Sequence, residues 1–336
     1  MKISIRKLSE QTGYSPATIS NALNRKKGVN KETAEKIFKA AAQMGYVNEK
    51  RIRKIKFVIF KRNGKIIENT PFFPAVMEGV EQKARSLGFE TIFCRLEKEQ
   101  EDFKEQLNQI LTDTSAAVIL LGSEMMEEDF QLFAHPDCPL ILLDGWSDTV
   151  AFDSVLINNT DSACQAVNYL IQCGHERIGY LKADFRIKAF NYREIGLERA
   201  LTDHNLPIVP EYKVTLGPAV ETAYLGMKNF LQHTTKQELP TAYFADNDVI
   251  ALGAIRALQE EGIRVPEDVS VIGFDNLPFC EISNPRLTTI HVYKQEMGEM
   301  AVKRLVDRLE NGSKVKAKIQ VCTEFVERES VKVIKK

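Results

Sequence analysis

What most constrains the fold of this chain is a texture that begins near Ile55 and continues almost to its end, in which short apolar runs alternate with stretches patterned as amphipathic helices. Residues 55–60, 90–94, 116–121 and 140–143 have the length and composition of strands, and residues 73–87 and 103–111 between them repeat apolar side chains at helical spacing. Such alternation builds right-handed βαβ units, so the expectation is an α/β architecture with parallel sheets. A second round starts near Val155, with strands expected over 177–181, 213–216, 241–244 and 269–274. Two similar halves in series predict two lobes, with a ligand placed where the carboxyl ends of their strands face each other.

The N-terminal residues have another texture. Residues 4–24 read as two short helices and a tight turn. Ser4 is a candidate N-cap, with Ile5, Leu8 and Ser9 on one face of the helix it starts. Gly13 supplies the positive backbone angle that a sharp reversal needs. Ser15 followed by Pro16 starts the second helix, because the serine oxygen can take an orphan amide and proline has no amide to lose. There Ile19 and Leu23 face inward, which leaves Ala17, Thr18, Ser20 and Asn21 outward. Small and polar groups of this kind are what a helix in the major groove presents to base edges and phosphates. Asn30 caps a third helix, whose stripe of Ala34, Ile37, Phe38 and Ala41 closes a small core and whose terminator is Gly45.

On spacing alone a polar helix hairpin without a partner also fits; charge separates the two readings. Residues 1–56 carry 14 Lys/Arg against 4 Asp/Glu, a balance of +10, and the remainder carries 31 against 42, a balance of −11, which together give the −1 of the whole chain. Positive charge concentrated on a small segment releases counterions when it meets a phosphate backbone, the main source of sequence-independent DNA affinity.

Four N-terminal motifs carry a resemblance: Ile5-Arg-Lys-Leu-Ser-Glu-Gln-Thr-Gly-Tyr-Ser, Thr18-Ile-Ser-Asn-Ala-Leu-Asn, Val29-Asn-Lys-Glu-Thr and Met44-Gly-Tyr. Together they resemble the DNA-binding headpiece of the LacI/GalR family of bacterial transcription regulators. Gly174-His-Glu-Arg-Ile-Gly, Ala245-Asp-Asn-Asp-Val-Ile-Ala-Leu-Gly, Val265-Pro-Glu-Asp-Val-Ser-Val-Ile-Gly-Phe-Asp and Leu287-Thr-Thr-Ile look like the periplasmic-binding-protein type of core that the same family uses to bind effectors. The resemblance implies an all-α helix-turn-helix headpiece over 1–48, a short basic linker over 49–56, and an effector-binding and dimerisation core over 57–336. Because the chain of such a core crosses between lobes three times, the first lobe is expected over about 57–156 and 288–318, the second over about 157–287 and 319–336.

The resemblance also implies roles. The start of the second helix would read bases through Pro16, Ala17 and Asn21, with Ser15, Thr18 and Ser20 closer to the backbone; Ser4, Asn24 and the basic turn at Arg25 and Lys26 complete the expected DNA contacts. Asn21 is the best base reader, since its amide offers both a donor and an acceptor. At the strand ends, Arg193, Asn247 and Asp275 would grip the effector, joined by Phe72, Phe73, Asp144 and Asn159. A planar guanidinium and a carboxylate suit the adjacent hydroxyls of a sugar. Asp275 and Asn247 could instead cap helices or turns. The implied partners are a double-stranded operator, a second copy of the chain in a homodimer, and a carbohydrate or phosphorylated carbohydrate.

The sequence departs from the family in three places. Residues 47–56 are shorter than the usual connection and lack its Ala-Arg-Ser-Leu-like run, so a plain basic tether is expected, with Ile52 between Arg51 and Arg53 as the alternative minor-groove wedge. Gly217-Pro-Ala-Val stands where sugar-binding relatives often place an aromatic ring. Lys61, Arg62, Arg186 and Lys188 lie in loops after strands; they either favour an anionic effector or are solvated loop charge.

Other classes have less support. No run of about 18 apolar residues exists to cross a membrane, and the N-terminus lacks the apolar region of a signal peptide, so a cytoplasmic location is expected. The six cysteines show no C-x-x-C pair and are expected to be reduced and mostly buried. The five histidines have no metal-ligand spacing, and neither a nucleophile elbow nor a phosphate loop is present, so neither metal, cofactor nor catalysis is expected. A solute-binding protein for transport shares the two-lobed core but predicts no basic headpiece. An enzyme acting on sugars would need paired carboxylates in the cleft.

Overall fold

The computed structural model describes residues 4–23, 28–44, 52–312 and 315–334. Its first three helices are α1 (Ile5–Thr12), α2 (Pro16–Leu23) and α3 (Lys31–Gln43). Each begins where local chemistry dictates. Ser4 Oγ accepts from Lys7 N at 3.3 Å, Ser15 Oγ from Thr18 N at 3.1 Å, and Asn30 Oδ1 from Thr33 N at 2.7 Å. Gly13 ends α1 in the left-handed region at φ 73°, its amide bonded to Ser9 O. Leu8, Ile19, Ala22, Ile37 and Ala41 close a small core. Leu23 packs half-buried against that core beside buried Ala22, as its inward position predicts, whereas Phe38, expected in the apolar stripe, is exposed. Gly45 and residues 49–51 of the linker lie outside the described residues. Ile52 packs against the core of the body.

The body opens with β1 (Lys54–Lys61), α4 (Phe72–Ser86), β2 (Glu90–Glu97), α5 (Phe103–Leu111), β3 (Ala116–Leu121), α6 (Glu127–Phe130), β4 (Leu140–Leu143) and β5 (Ser154–Ile157). The second round is α7 (Asn159–Gln172), β6 (Ile178–Ala183), α8 (Lys188–Asp203), β7 (Lys213–Leu216), α9 (Val220–Leu231), β8 (Ala242–Ala245), α10 (Asp248–Glu260), β9 (Ser270–Ile272) and α11 (Phe279–Ile282). The chain closes with β10 (Thr289–His291), α12 (Lys294–Asn311), β11 (Lys318–Val321) and β12 (Glu324–Val326). Two parallel sheets result, in the orders β11-β5-β4-β3-β1-β2 and β7-β6-β8-β9, joined by the antiparallel pair β10-β12.

Strand β1 shows why the first sheet is covered on both faces. Ile55, Phe57 and Ile59 point into one apolar cluster, Val58 and Phe60 into another. Helices α4 and α12 lie on the first of those faces, brought close by two glycines. A Cβ on Gly79 would stand 2.0 Å from Gln295 O, and one on Gly298 would stand 2.4 Å from Val76 O. The chain passes between lobes before α7, around β10, and through β12. Strand β11 runs in parallel register with β5, Lys318 beside Ser154 and Val321 beside Ile157. Residues 319–321 therefore belong to the first sheet rather than the second lobe, and the last crossing follows Val321. Beyond it, Ser330 O accepts Val271 N of β9.

Candidate functional site

Two sites emerge, one on the headpiece and one between the lobes. On the headpiece, Ser15, Pro16 and Ala17 are exposed at the start of α2, while Thr18, Ser20 and Asn21 are half-buried. The Ser15 hydroxyl also lies 2.8 Å from that of Thr18, so both serve the cap as well as the surface. Ser4 is exposed and caps α1 in the same way. Arg6 and Lys7 on α1 are exposed beside them. Asn24, Arg25 and Lys26 lie outside the described residues.

Between the lobes, the strand ends bring most of the expected residues together. Arg193, on the first half of α8, is buried, and its Nε donates to Asn159 Oδ1 at 2.9 Å. Its Nη1 donates to Asp246 O, and its guanidinium carbon stands 3.6 Å from the Phe274 ring centroid. Its Nη2 lies 3.5 Å from Asp275 Oδ1, close enough for charge attraction but too long for a good hydrogen bond; that oxygen is buried without a hydrogen-bond partner. From the first lobe, Asp144 Oδ2 accepts Ser123 Oγ at 2.5 Å. Burial pushes the Asp144 carboxyl up to about 6, against the pull of Ser123 and Arg193, and burial likewise raises Asp275. Asp144 (φ 53°) and Asp275 (φ 112°) hold backbone angles that residues other than glycine seldom adopt, as expected where a strand end is shaped for a task.

Phe72 and Phe73 open α4 edge to face, with ring centroids 5.1 Å apart, and both are buried. Asn247 is different in kind. Its Oδ1 accepts Ile250 N at 3.0 Å as the cap of α10, so its amide hydrogens are what it can offer a ligand.

The four loop cations do not present free charge to the cleft. Lys61 binds Glu68 and Glu97 at 2.6 and 3.1 Å, and Arg62 binds Glu128 and Asp129 at 2.8 and 2.9 Å. Arg186 binds Asp246 and Glu194, and Lys188 binds Glu127 and Asp148. Backbone amides are occupied as well: buried Glu124 accepts from Arg62, Asn63 and Gly64 through one oxygen and from Ile66 and Ile67 through the other. Gly217-Pro-Ala-Val brings no aromatic ring to this turn, and at Gly217 itself an added Cβ would stand 2.3 Å from Thr222 Oγ1.

Several neighbours were not anticipated. Asp246 accepts Tyr180 Oη and, at 2.7 Å, Ala183 N, and burial pushes it up to about 6. Asp248 accepts Thr289 Oγ1 at 2.5 Å and Leu277 N at 2.8 Å, and burial with nearby Asp275 pushes it up to about 7. Lys294 donates to Asp275 O at 2.5 Å and stands 6.0 Å from the Phe72 centroid. The run of three polar residues directly after β8 was the one signal for the two aspartates. All six cysteines are free thiols; Cys138, Cys173 and Cys280 are buried, Cys94 and Cys164 half-buried, and Cys322 is the exposed exception to the expectation of buried thiols. Among the described residues no helix is long and apolar enough to cross a membrane.

Comparison with known proteins places this geometry. The periplasmic binding protein-like domain family matches residues 167–331. The HTH-type transcriptional repressor PurR of Haemophilus influenzae (strain PittEE) is 30% identical over 336 residues, covering 98% of this chain and 99% of that protein. The structure of the Lac repressor dimer bound to operator and the anti-inducer ONPF superposes with TM-score 0.72 at 22% identity, covering 99% of this chain and 100% of that one. A LacI family regulator from Enterococcus faecium with bound ribose gives TM-score 0.69 at 25% identity, covering 83% and 100%.

Proposed function

From the premise that the chain belongs to the LacI/GalR family of bacterial transcription regulators, we propose that it is a cytoplasmic, homodimeric repressor that binds a roughly palindromic operator and is switched by a neutral sugar. Its DNA contacts would be made by Ser4 and by the start of α2, Ser15, Pro16, Ala17, Thr18, Ser20 and Asn21, with Asn24, Arg25 and Lys26 following. The sites act by binding rather than turnover. The observation that carries the effector reading is the buried Arg193–Asp275 pair, whose Asp275 Oδ1 has no hydrogen-bond donor. A ligand hydroxyl would supply that donor, Asp144 faces it from the other lobe, and Phe72 and Phe73 offer an apolar wall. A neutral sugar is favoured over its phosphate because the loop cations are paired with carboxylates and Glu124 occupies the amides of the β1 loop. The ribose-bound relative agrees with this class.

Regulation follows by linkage. A ligand that prefers one arrangement of the lobes alters operator affinity by the ratio of its affinities for the two arrangements, and by nothing else. Calorimetry with ribose, cellobiose and their phosphates tests the ligand class. Binding of a neutral sugar, abolished by Asp275→Asn, is expected; binding of a phosphate ester alone contradicts the reading.

A further inference from the structure

The mouth of the cleft holds an arrangement that neither the reading helix nor the effector cluster uses. Glu127, at the start of α6, is fixed by the loop between β4 and β5: its Oε1 accepts Ser147 Oγ at 2.5 Å, Asp148 N and Thr149 N at 3.1 Å, and Thr149 Oγ1 at 2.8 Å. Its Oε2 takes Lys188 Nζ at 2.9 Å, and the same ammonium reaches Asp148 Oδ2 at 2.8 Å. Glu127 and Asp148 belong to the first lobe, whereas Lys188 sits at the start of α8 in the second. The ammonium also stands 5.1 Å from the Trp146 ring centroid and 5.8 Å from that of Phe130. Trp146 in turn meets Tyr192, one turn further along α8, edge-on at 4.8 Å.

Among the described residues, these are the ion pairs that join the lobes away from the chain crossings. Arg193 and Arg186 find their partners within the second lobe, Lys61 and Arg62 within the first. The Lys188 side chain is only 16% exposed, so its attraction to Glu127 is less damped by water than that of a surface pair; Asp148, at 59%, adds less. Aromatic faces beside the ammonium add a further attraction.

We propose that Lys188 is a positioning residue for the effector site: it latches the second lobe onto a preformed Glu127, Asp148 and Trp146 cage on the first and keeps the lobes together without effector. The latch sets how much of the protein is already closed when a ligand arrives, and so tunes apparent effector affinity without touching the ligand.

Trp146 is the one tryptophan of the chain, so its emission reads the cage directly, and small-angle scattering reads lobe separation. In the full chain without added ligand, Lys188→Met is expected to shift the lobes toward open on the order of tenfold. The signs are red-shifted emission, stronger acrylamide quenching and a larger radius of gyration. Lys188→Arg should restore all three. Raising NaCl to about 1 M should move the wild type toward the methionine variant and leave that variant unchanged, because charge attraction is what salt screens. Glu127→Gln should act in the same direction, and with the salt series it decides the matter if Lys188→Met fails to fold. A folded Lys188→Met protein whose scattering matches wild type overturns the latch, whatever its fluorescence. Equal opening by the arginine variant overturns it too, since that would mark packing rather than charge.

Discussion

The headpiece and the two-lobed body meet the same requirement, a dry core, in opposite ways. The described part of the headpiece closes on Leu8, Ile19, Ala22, Ile37 and Ala41 and relies on side-chain caps at each helix start. The body has two apolar clusters, the larger running from Ile55 to Val306, and can keep Asp144, Asp246, Asp248 and Asp275 buried. A small core leaves little margin, so the headpiece should be the part whose folding is most easily lost. A large core can carry expensive groups, which is where a ligand site can be stored.

The largest effects should separate the two regions by consequence rather than by size. Arg193→Met strips a buried carboxylate of its cation at a cost of about 3–5 kcal/mol. The body should nevertheless stay folded by calorimetry, melting several degrees lower, with effector binding lost. Leu8→Ala removes about 2–5 kcal/mol from a much smaller core. It should unfold the headpiece and abolish operator binding while the transition of the body stays in place. A protein in which Leu8→Ala leaves the headpiece amide resonances dispersed would erase the contrast.

The buried acids give the body a pH signature. Asp144 and Asp246 are raised to about 6 and Asp248 to about 7, chiefly by burial. The folded state therefore holds protons that the unfolded chain releases near pH 4. The stabilisation these groups contribute is complete below that pH and is lost as pH rises through 6 to 7. The melting temperature of the body should fall from about pH 4 and level off once these groups ionise in the folded state, at about 6 to 7, and Asp248→Asn should flatten the upper part of the slope. A slope unchanged in that variant would remove Asp248 from the account. The smallest effect lies on the reading helix: Asn21→Ala should cost about 1–3 kcal/mol of base discrimination and leave affinity for random duplex nearly intact. Equal losses on both duplexes in anisotropy titrations would take Asn21 out of base reading.

The same division governs how much could be read in advance. Ser4, Gly13, Ser15 and Asn30 act on amides or turns within a few residues, so their roles are visible as short motifs. The strands are visible because their apolar runs are contiguous, although β11 was divided between lobes by a boundary that only its register with β5 corrects. Phe38 misled because helical spacing says which face a residue lies on and not whether a neighbouring layer covers it. In the cleft, residue types at strand ends were informative, and Arg193, Asn159 and Asp275 do come together. Their competitors were not: Glu124 reaches back about sixty residues to the β1 loop, and Asp246 is as far from Arg186, separations at which a single sequence carries no periodicity to follow. Loop cations therefore looked available to an anion when each already had a carboxylate.

The most direct test of a cationic tip reading DNA under the control of an acidic, two-lobed body is selection of binding sites by the full-length protein from a pool of random duplexes at moderate salt. Enrichment of an inverted repeat of two half-sites is expected, lost in Leu8→Ala and retained in Arg193→Met. A pool that emerges with no preferred sequence would contradict it.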